Sequence, residues 1–377
     1  MWFNIYLLGI VSFLTDISSE MIKAVLPAFL CALGAGGLAL GIVGNLPEVF
    51  QGLTHYFSGC LSDKMGRRKP LILVGYLVSS LSKILIALAS NAALLTLARS
   101  GERVGKGIRI APRDSFVGET IPKAFIGKAF GIHKMMDSSG MAIGCLAAFI
   151  LWKLGFGIRT IIAVGAGVSF TALLPIILLS EKTPTFRKPA APEGQKKSLN
   201  AVMLYTGIFS ISNINFLFFI TYIQTSVKTP HAAAVSIGIL AYIIYNFFYA
   251  AFAVPAGRFL DRTNCRKGMF MGNALFMFLC LVFLVAKIPA ALMGAMIIFG
   301  GSQSFIKVSQ KAWVSVLSDG KTLGKSMGLF HMIETLCLLA GGIIQGLLWN
   351  INPVLTFAWG LISSSAALLI LKEWGRF

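Results

Sequence analysis

The sequence predicts an all-α membrane protein in which twelve transmembrane helices form two pseudo-symmetric six-helix bundles. Three observations predict this fold class. The 377-residue chain is 56% hydrophobic and only 12% charged. Apolar stretches long enough to cross a hydrocarbon core of ~30 Å recur from end to end. A segment that begins at Gly59 recurs in weakened form from Gly257, and a repeat of about 200 residues indicates a duplicated half-protein rather than a solenoid.

Each apolar stretch is predicted to be a helix, because lipid offers no hydrogen-bond partners to an unpaired backbone. Most of the stretches are apolar all round, unlike the one-sided helices of soluble proteins. Residues 1–180 would form the N-terminal bundle, the polar, Pro-containing segment 181–199 a cytoplasmic linker, and residues 200–377 the C-terminal bundle. The predicted spans are 3–32, 38–62, 70–90, 91–116, 126–151, 157–180, 200–226, 232–258, 268–288, 290–316, 324–349 and 353–372.

The charge distribution indicates membrane topology and not a nucleic-acid partner. The formal net charge is +19, but the basic residues cluster in alternate loops, among them the loop of Arg67 and Lys69, the linker, and the loop of Arg262 and Lys267. This asymmetry follows the positive-inside rule and predicts a multi-pass protein of the cytoplasmic (inner) membrane with both termini in the cytoplasm. The six cysteines have no paired or metal-type spacing, so neither a metal nor a cofactor is expected.

The first copy of the repeated segment contains Gly59, Asp63, Gly66, Arg67 and Arg68 in the order Gly-x-x-x-Asp-x-x-Gly-Arg-Arg. With its duplicated six-helix halves, the chain resembles the major facilitator superfamily of secondary transporters, whose loop between helices 2 and 3 carries this pattern. The resemblance implies transport by alternating access and no enzymatic activity. The degenerate second copy keeps Gly257, Asp261, Arg266 and Lys267.

Two further family motifs can be compared. The fourth-helix motif, an arginine followed by Gly-x-Gly, is present as Arg99 with Gly105 and Gly107. The fifth-helix motif associated with exporters is incomplete, because Cys145 stands where its proline is expected. This departure argues against antiport.

The repeated loop is predicted to act as a gate. Asp63 at the end of the second helix can accept charge-assisted hydrogen bonds from an arginine or from a helix N-terminus. A contact of this kind, made in one state and broken in another, would bias a rocking equilibrium. The alternative is a static anchor combined with a topology signal. The predicted gating residues are Gly59, Asp63, Gly66, Arg67, Arg68, Arg113 and Asp261.

Ionisable residues within the spans indicate the substrate class, because charges at mid-membrane must face a cavity or a partner. The fourth helix carries Arg99, Arg103 and Lys106 at helical spacing. These cations either neutralise acidic residues of the same half or bind an anionic substrate, for which arginine is well suited. Asn213 is a candidate for substrate hydrogen bonds. The predicted substrate-binding residues are Arg99, Arg103, Lys106, Asp16, Glu20, Glu48 and Asn213.

The fifth and eleventh helices carry equivalent polar pairs. A shift of 197 residues superimposes Lys134 on His331 and Asp137 on Glu334. Each pair is spaced i, i+3 and therefore lies on one helix face. Partly buried carboxylates and histidines titrate near neutral pH, so these four residues are predicted to couple transport to protons. The alternative is a pair of local ion bridges that stiffen the helices.

The sequence thus predicts proton-coupled transport of a small organic anion, which includes carboxylate-type metal chelates, by a protein that functions as a monomer. The rival prediction is export of cationic or amphipathic drugs, or of metal cations, through Asp16, Glu20 and Glu48. A non-transporting membrane sensor is the remote alternative. No phosphate loop, metal quartet or nucleophile elbow is present in the sequence, which argues against an enzyme.

Overall fold

The structure is a computed structural model that describes residues 1–32, 37–181, 193–226, 231–286, 288–319 and 321–373. Within these ranges the chain is helical and contains no β-strand. Most of the predicted linker lies outside the described residues. The helices are α1 Trp2–Ala32, α2 Gly37–Met65, α3 Lys69–Leu88, α4 Ala92–Thr120, α5 Ile126–Lys153, α6 Ile158–Thr171, α7 Leu173–Ile177, α8 Glu193–Ser212, α9 Phe216–Ser226, α10 His231–Arg262, α11 Cys265–Val285, α12 Pro289–Leu317, α13 Leu323–Ile351 and α14 Pro353–Glu373, with a short 3-10 helix at Lys123–Phe125.

These helices confirm the predicted all-α fold, and they match the twelve predicted spans with two subdivisions. The sixth span consists of α6 and α7, which meet at Ala172. The seventh consists of α8 and α9, separated by non-helical residues 213–215. By length and apolarity, nine stretches among the described residues can cross a membrane, and α2, α4 and the pair α8–α9 are not among them. Embedded charges in α2 and α4, and the break between α8 and α9, explain this difference.

The chain is divided into two compact units. The first comprises Met1–Pro122, Met136–Ala190 and Ser318–Thr335, and the second comprises Lys123–Met135, Ala191–Leu317 and Leu336–Phe377. Helices α5 and α13 each contribute their first turns to the unit that is formed mainly by the other half of the chain. The predicted bundles, 1–180 and 200–377, are continuous segments of the chain, whereas each of these units combines three segments. The predicted boundaries at 180 and 200 therefore stay a prediction.

Each unit has its own apolar core. In the first unit, Met21, Ile86, Leu95 and Ile161 bring together side chains of α1, α3, α4 and α6. The core of the second unit is rich in aromatic rings, including Phe219, Phe276, Phe283, Phe299 and Phe357. Polar side chains are buried beside both cores, and they form the clusters described next.

Candidate functional site

Helix α4 carries a row of basic side chains that face the interior of the first unit. Arg99, Arg103, Arg109 and Arg113 are all buried, whereas Leu97 on another face of the helix is 70% exposed. Desolvating a charge in a membrane is unfavourable, so each of these cations requires a compensating partner. Some of these cations are paired with a carboxylate and others are not. The paired ones are candidates for a structural role, and the others are candidates for binding a substrate.

Arg99 and Arg103 are ion-paired. Arg99 Nη1 lies 2.5 Å from Glu102 Oε2, and Arg103 Nη2 lies 2.9 Å from Glu48 Oε1. Glu102 also accepts a hydrogen bond from Ser19 Oγ at 3.3 Å. These two arginines therefore have the geometry of the neutralising network, in which Glu102 is the partner of Arg99 and Glu48 is the partner of Arg103.

Removing the Glu102 charge is expected to destabilise the protein. Glu102→Gln would leave Arg99 buried without its counter-ion, which in folded proteins costs about 3–5 kcal/mol. The expected result is a lower melting temperature of the purified protein in detergent. The matched control is Glu48→Gln, because the Glu48 side chain is 35% exposed and its loss is better compensated by solvent. An unchanged melting temperature for Glu102→Gln, or failure of the added Arg99→Gln substitution to restore stability, would contradict the structural role.

The acidic residues of α1 have local partners. Glu20 forms an ion pair with Lys23 one turn away. Asp16 is buried beside Asp137 of α5. Both acidic residues of α1 therefore have charged neighbours within the first unit.

Three buried or half-buried cations lack a carboxylate in contact among the residues that the structure describes. Arg109 is 2% exposed, and its guanidinium carbon lies 4.2 Å from the centroid of the Tyr76 ring. Its Nε and Nη1 atoms have no hydrogen-bond partner among the described residues. Lys83 is fully buried and donates to two neutral oxygens, Thr15 O and Ser169 Oγ, both at 3.3 Å. Lys106 makes no hydrogen bond or ion pair within the part of the chain that the structure describes.

Arg109 and Lys83 were not predicted as binding residues. For Arg109 the available signal was its spacing of i+3 from Lys106, since two such residues share a helix face. Lys83 stands alone in an apolar stretch, and an isolated intramembrane lysine was a signal that sequence analysis overlooked.

A second cluster is centred on His331 of α13. Its Nε2 atom lies 2.7 Å from Asp114 Oδ2 and its Nδ1 atom lies 3.3 Å from Glu334 Oε2. The ring of His55 on α2 lies 5.1 Å from that of His331. Arg113 donates through Nε and Nη2 to Asp114 Oδ1, both at 3.1 Å. Asp114 and His55 were not among the predicted site residues, although each is a polar ionisable residue inside a predicted span, which was the available signal.

Hydrogen bonds connect this cluster to Arg109. Arg113 Nη1 donates to Ser12 Oγ at 2.9 Å, and Ser12 Oγ lies 3.1 Å from the Tyr76 hydroxyl. The Tyr76 ring in turn stacks under Arg109. A continuous series of contacts thus joins the His331 cluster to a cation that has no ion-pair partner in the described part of the chain. The series runs through Glu334, His331, Asp114, Arg113, Ser12, Tyr76 and Arg109.

Asp63 holds the N-terminus of α13. Its Oδ1 atom accepts a hydrogen bond from the Gly324 N–H at 2.9 Å, and its Oδ2 atom accepts one from the Lys325 N–H at 2.6 Å. Arg68 Nη2 lies 2.6 Å from Asp63 Oδ1 and 2.6 Å from Glu119 Oε1. The helices touch at Gly59, where a Cβ atom would lie 2.1 Å from the Gly324 carbonyl oxygen. We call this contact of Asp63 with Gly324 and Lys325 the first latch.

The other predicted gating residues take different positions. Gly66 forms the turn after α2 with a φ of 64°, a conformation that favours glycine. Arg67 is exposed. Arg113, which was expected beside Asp63, is instead bonded to Asp114 and Ser12.

The second unit contains the equivalent contact. Asp261 accepts hydrogen bonds from the Gly127 N–H at 2.8 Å and the Lys128 N–H at 2.9 Å. We call this contact of Asp261 with Gly127 and Lys128 the second latch. The position of Gly66 in the first copy is taken by Asn264 in the second, whose side chain caps α11 by accepting from the Lys267 N–H at 2.8 Å.

The remaining predicted residues lie in the second unit. Asn213 begins the break between α8 and α9, and its Oδ1 atom accepts a hydrogen bond from Gln303 Nε2 at 2.8 Å. Gln345 Nε2 donates to the carbonyl oxygen of Asn213 at 3.3 Å, which compensates a backbone group that the break leaves without a helical partner. Lys134 Nζ lies 4.5 Å from the centroid of the Tyr249 ring.

Comparison with known proteins shows the family to which the chain belongs. The family model of the Major Facilitator Superfamily matches residues 8–226 and 202–373. The chain belongs to the major facilitator superfamily. An uncharacterised transporter of the same superfamily from Methanocaldococcus jannaschii is 34% identical over 374 residues, which cover 98% of this chain and 94% of the relative. Multidrug resistance protein MdtH of Photorhabdus laumondii is 26% identical, over 68% of each chain.

The fold is also similar to solved structures. The human organic anion transporter MFSD10 (TETRAN) has a TM-score of 0.80 at 12% identity over 99% of each chain. The transporter FucP in the outward conformation has a TM-score of 0.70 at 16% identity, over 96% of this chain and 98% of that chain. At these identities the similarity shows the fold alone. Family membership confirms the predicted class: a multi-pass membrane transporter of this superfamily, and not an enzyme.

Proposed function

We propose that this transporter carries a small organic anion and that protons drive it. The observation that carries the substrate class is the set of cations Lys83, Lys106 and Arg109, none of which contacts a carboxylate within the described ranges of the chain. Each uncompensated charge in a membrane costs about 2.5–3.5 kcal/mol. One carboxylate, that of Asp16, is near all three cations and offsets only part of this excess. An anionic solute would offset the rest.

Arg109 is the residue best suited to contact the solute. Its guanidinium is buried, oriented by the Tyr76 ring, and retains two nitrogen atoms without hydrogen bonds among the described residues. The planar guanidinium fork binds carboxylate and phosphate through paired hydrogen bonds. Carboxylates are therefore the leading substrate class, and chelates with free carboxylate oxygens are included. Arg99 and Arg103 would position α4 through their ion pairs without contacting the solute.

Proton coupling is assigned to Asp114 and His331. Their side chains are in contact, and the groups that face them are Glu334 on α13, Arg113 on α4 and His55 on α2. A proton taken up by Asp114 would weaken its hold on Arg113, and Arg113 is connected through Ser12 and Tyr76 to Arg109. A second titratable element is the neighbouring pair Asp16 and Asp137 on α1 and α5.

The two latches suit alternating access. Asp63 and Asp261 each hold the N-terminus of a helix from the other half of the sequence, and such charge-assisted bonds can be released and reformed. The first latch is reinforced by Arg68 and Glu119. His331 lies two turns beyond the first latch on α13, so protonation of the His331–Asp114 pair would act on the helix that the latch holds. Both latches would face the cytoplasm, with the termini on the same side, in a protein that works as a monomer.

A vesicle assay tests this function. The purified protein is placed in proteoliposomes with an imposed pH gradient, and uptake is compared for the multiply charged anions citrate and phthalate and the cations ethidium and methyl viologen. We expect gradient-dependent uptake of at least one anion and none of the cations. Cation transport without anion transport would overturn the proposed substrate class, and binding without flux would indicate a sensor.

Drug or cation export is the second candidate. It is favoured by two relatives, multidrug resistance protein MdtH and the multidrug transporter AQR1 of Candida glabrata, the latter 35% identical over 34% of this chain and 22% of the relative. Glu20 and Glu48 would then serve as cation sites after separation from Lys23 and Arg103. The same assay decides between the two functions.

A further inference from the structure

A pocket of about 510 Å³ lies beside the second latch in the second unit. It is bordered by the ends of α10, α12 and α14, the start of α11 and the early turns of α8. Asp261 of the latch forms part of its wall. The positive-inside rule assigns these helix ends to the cytoplasmic side. The pocket is therefore expected at the depth of the lipid headgroups.

The wall of the pocket has a basic part and an apolar part. Lys123 and Arg266 supply two cations, and Asp261 is the one acidic residue among the described residues that line it. Both carboxylate oxygens of Asp261 already accept hydrogen bonds in the second latch. The apolar part includes Val202, Trp313, Val316 and Leu371. Such a wall fits a ligand that is anionic at one end and apolar at the other.

The pocket also adjoins the lipid-facing surface of the unit. Phe270 lies one turn from Arg266 on α11 and is 56% exposed. Leu369 precedes Ile370, a lining residue on α14, and is 63% exposed. Exposed apolar side chains of a membrane-spanning helix contact lipid. An acyl chain can pass along this surface while its headgroup lies in the pocket, and a soluble anion has no such contact.

The first half of the chain has a carboxylate where this pocket has a valine. Helices α4 and α12 are both 29 residues long and superimpose with a shift of 197 residues, which places Val316 at the position of Glu119. The repeated loop motif places Arg266 at the position of Arg68. Arg68 contacts both Asp63 and Glu119.

Arg266 makes further contacts, and these do not prevent it from binding an anion. A guanidinium has five N–H donors and can bind several acceptors at once, as Arg68 does in the first latch. Lys123 begins the 3-10 helix before α5 and is exposed. An anion beside both side chains would therefore lie between the start of α11 and the segment that precedes α5.

We propose that this pocket binds the headgroup of an anionic phospholipid, whose phosphate takes the place that the Glu119 carboxylate has in the first unit. Arg266 binds the phosphate through its planar fork, and Lys123 adds a second positive charge. Basic pockets between helices on the cytoplasmic side suit such headgroups. Since Asp261 holds the N-terminus of α5, the bound lipid reinforces the second latch as Arg68 and Glu119 reinforce the first. This inference does not depend on which solute is transported.

Lipid binding to the purified, delipidated protein tests the site. Native mass spectrometry in detergent compares dioleoylphosphatidylglycerol with dioleoylphosphatidylcholine, which have the same acyl chains and differ in net charge. We expect the first phosphatidylglycerol to bind about thirtyfold more tightly, since each of two basic side chains contributes about a fivefold preference. The double variant Lys123→Gln with Arg266→Gln should lose this preference.

The matched control is the double variant Arg262→Gln with Lys267→Gln. It removes the same charge from two exposed residues of the same loop that do not line the pocket, and it should retain the preference. Equal loss in both double variants would indicate general attraction to a basic surface and would overturn the site. Equal binding of the two lipids by the wild type would also overturn it.

Substitutions at Val316 provide an independent test. Val316→Glu introduces the carboxylate of the first unit and should weaken phosphatidylglycerol binding about tenfold or more, because the carboxylate competes for Arg266. Val316→Gln is similar in size but uncharged and should retain most of the binding. Equal effects of the two would contradict the proposal. Melting temperatures without lipid identify variants that do not fold, and the Val316 pair decides if the pocket double variant is among them.

A soluble ligand is the remaining alternative. Glycerol 3-phosphate carries the same phosphate without acyl chains, and we expect millimolar concentrations to leave the bound phosphatidylglycerol in place. Displacement of the lipid by glycerol 3-phosphate at equal concentration would identify the ligand as a soluble anion and overturn the lipid assignment.

Discussion

Replacing Arg109 by glutamine is expected to lower kcat/KM for anion uptake about a hundredfold, since truncating one partner of a buried charge-assisted contact costs ~3 kcal/mol. The protein should remain folded. Arg109 has no ion-pair partner among the described residues that its removal would leave uncompensated, and Tyr76 would lose only a stacking contact. The measurement is the initial rate of phthalate or citrate uptake into proteoliposomes over a range of substrate concentrations.

Two comparison variants make this prediction specific. Arg109→Lys keeps the charge but loses the planar fork, so we expect partial activity. Arg159→Gln removes an exposed arginine that donates to Ala89 O at 3.1 Å, and it should leave uptake unchanged. Wild-type uptake by Arg109→Gln at equal protein abundance would remove Arg109 from the substrate site.

Replacing Asp114 by asparagine is expected to uncouple transport from protons. With one proton per cycle, each unit of pH gradient drives about a tenfold accumulation of solute. Asp114→Asn keeps the size of the side chain but cannot take up the proton. Accumulation should therefore fall to an inside-to-outside ratio of about one, while exchange of labelled for unlabelled anion continues. Accumulation is measured at imposed pH gradients with the membrane potential clamped by valinomycin and potassium.

The persistence of exchange distinguishes loss of coupling from loss of structure. Asp319→Asn is the matched control, because Asp319 accepts from the Lys321 N–H in the connection before α13 and has no histidine partner in the described chain. His331→Gln should reproduce the effect of Asp114→Asn. If proton-driven accumulation survives in both Asp114→Asn and His331→Gln, these residues do not couple transport to protons. Coupling would then be assigned to Asp16 and Asp137, and Asp137→Asn provides the corresponding test.

Local features of the sequence were sufficient for the fold. Apolarity determines where a helix can cross a membrane, and the predicted span 70–90 corresponds closely to α3, Lys69–Leu88. The motif that runs from Gly59 to Arg68, together with the duplicated halves, was sufficient to recognise the family. The break at residues 213–215 was not predicted, although Asn213 itself was selected. The break is compensated by hydrogen bonds from Gln303 to the Asn213 side chain and from Gln345 to the Asn213 carbonyl oxygen. Helix propensity and hydropathy contain no information on these contacts between distant residues.

The sequence by itself determined the class of protein. Apolar length, charge asymmetry between loops and a duplicated motif can all be seen along the chain without knowing which side chains are in contact. It also placed His331 and Glu334 on one helix face. Only the tertiary structure decided which charges neutralise one another. Glu102 forms an ion pair with Arg99, Glu48 forms one with Arg103, and Arg109 lies over the Tyr76 ring. The contact of His331 with Asp114 joins residues 217 positions apart. The interaction energy of two charges falls with the distance between them. The distances between side chains of different helices are set by helix packing, and the residue pattern of a single helix does not contain this information.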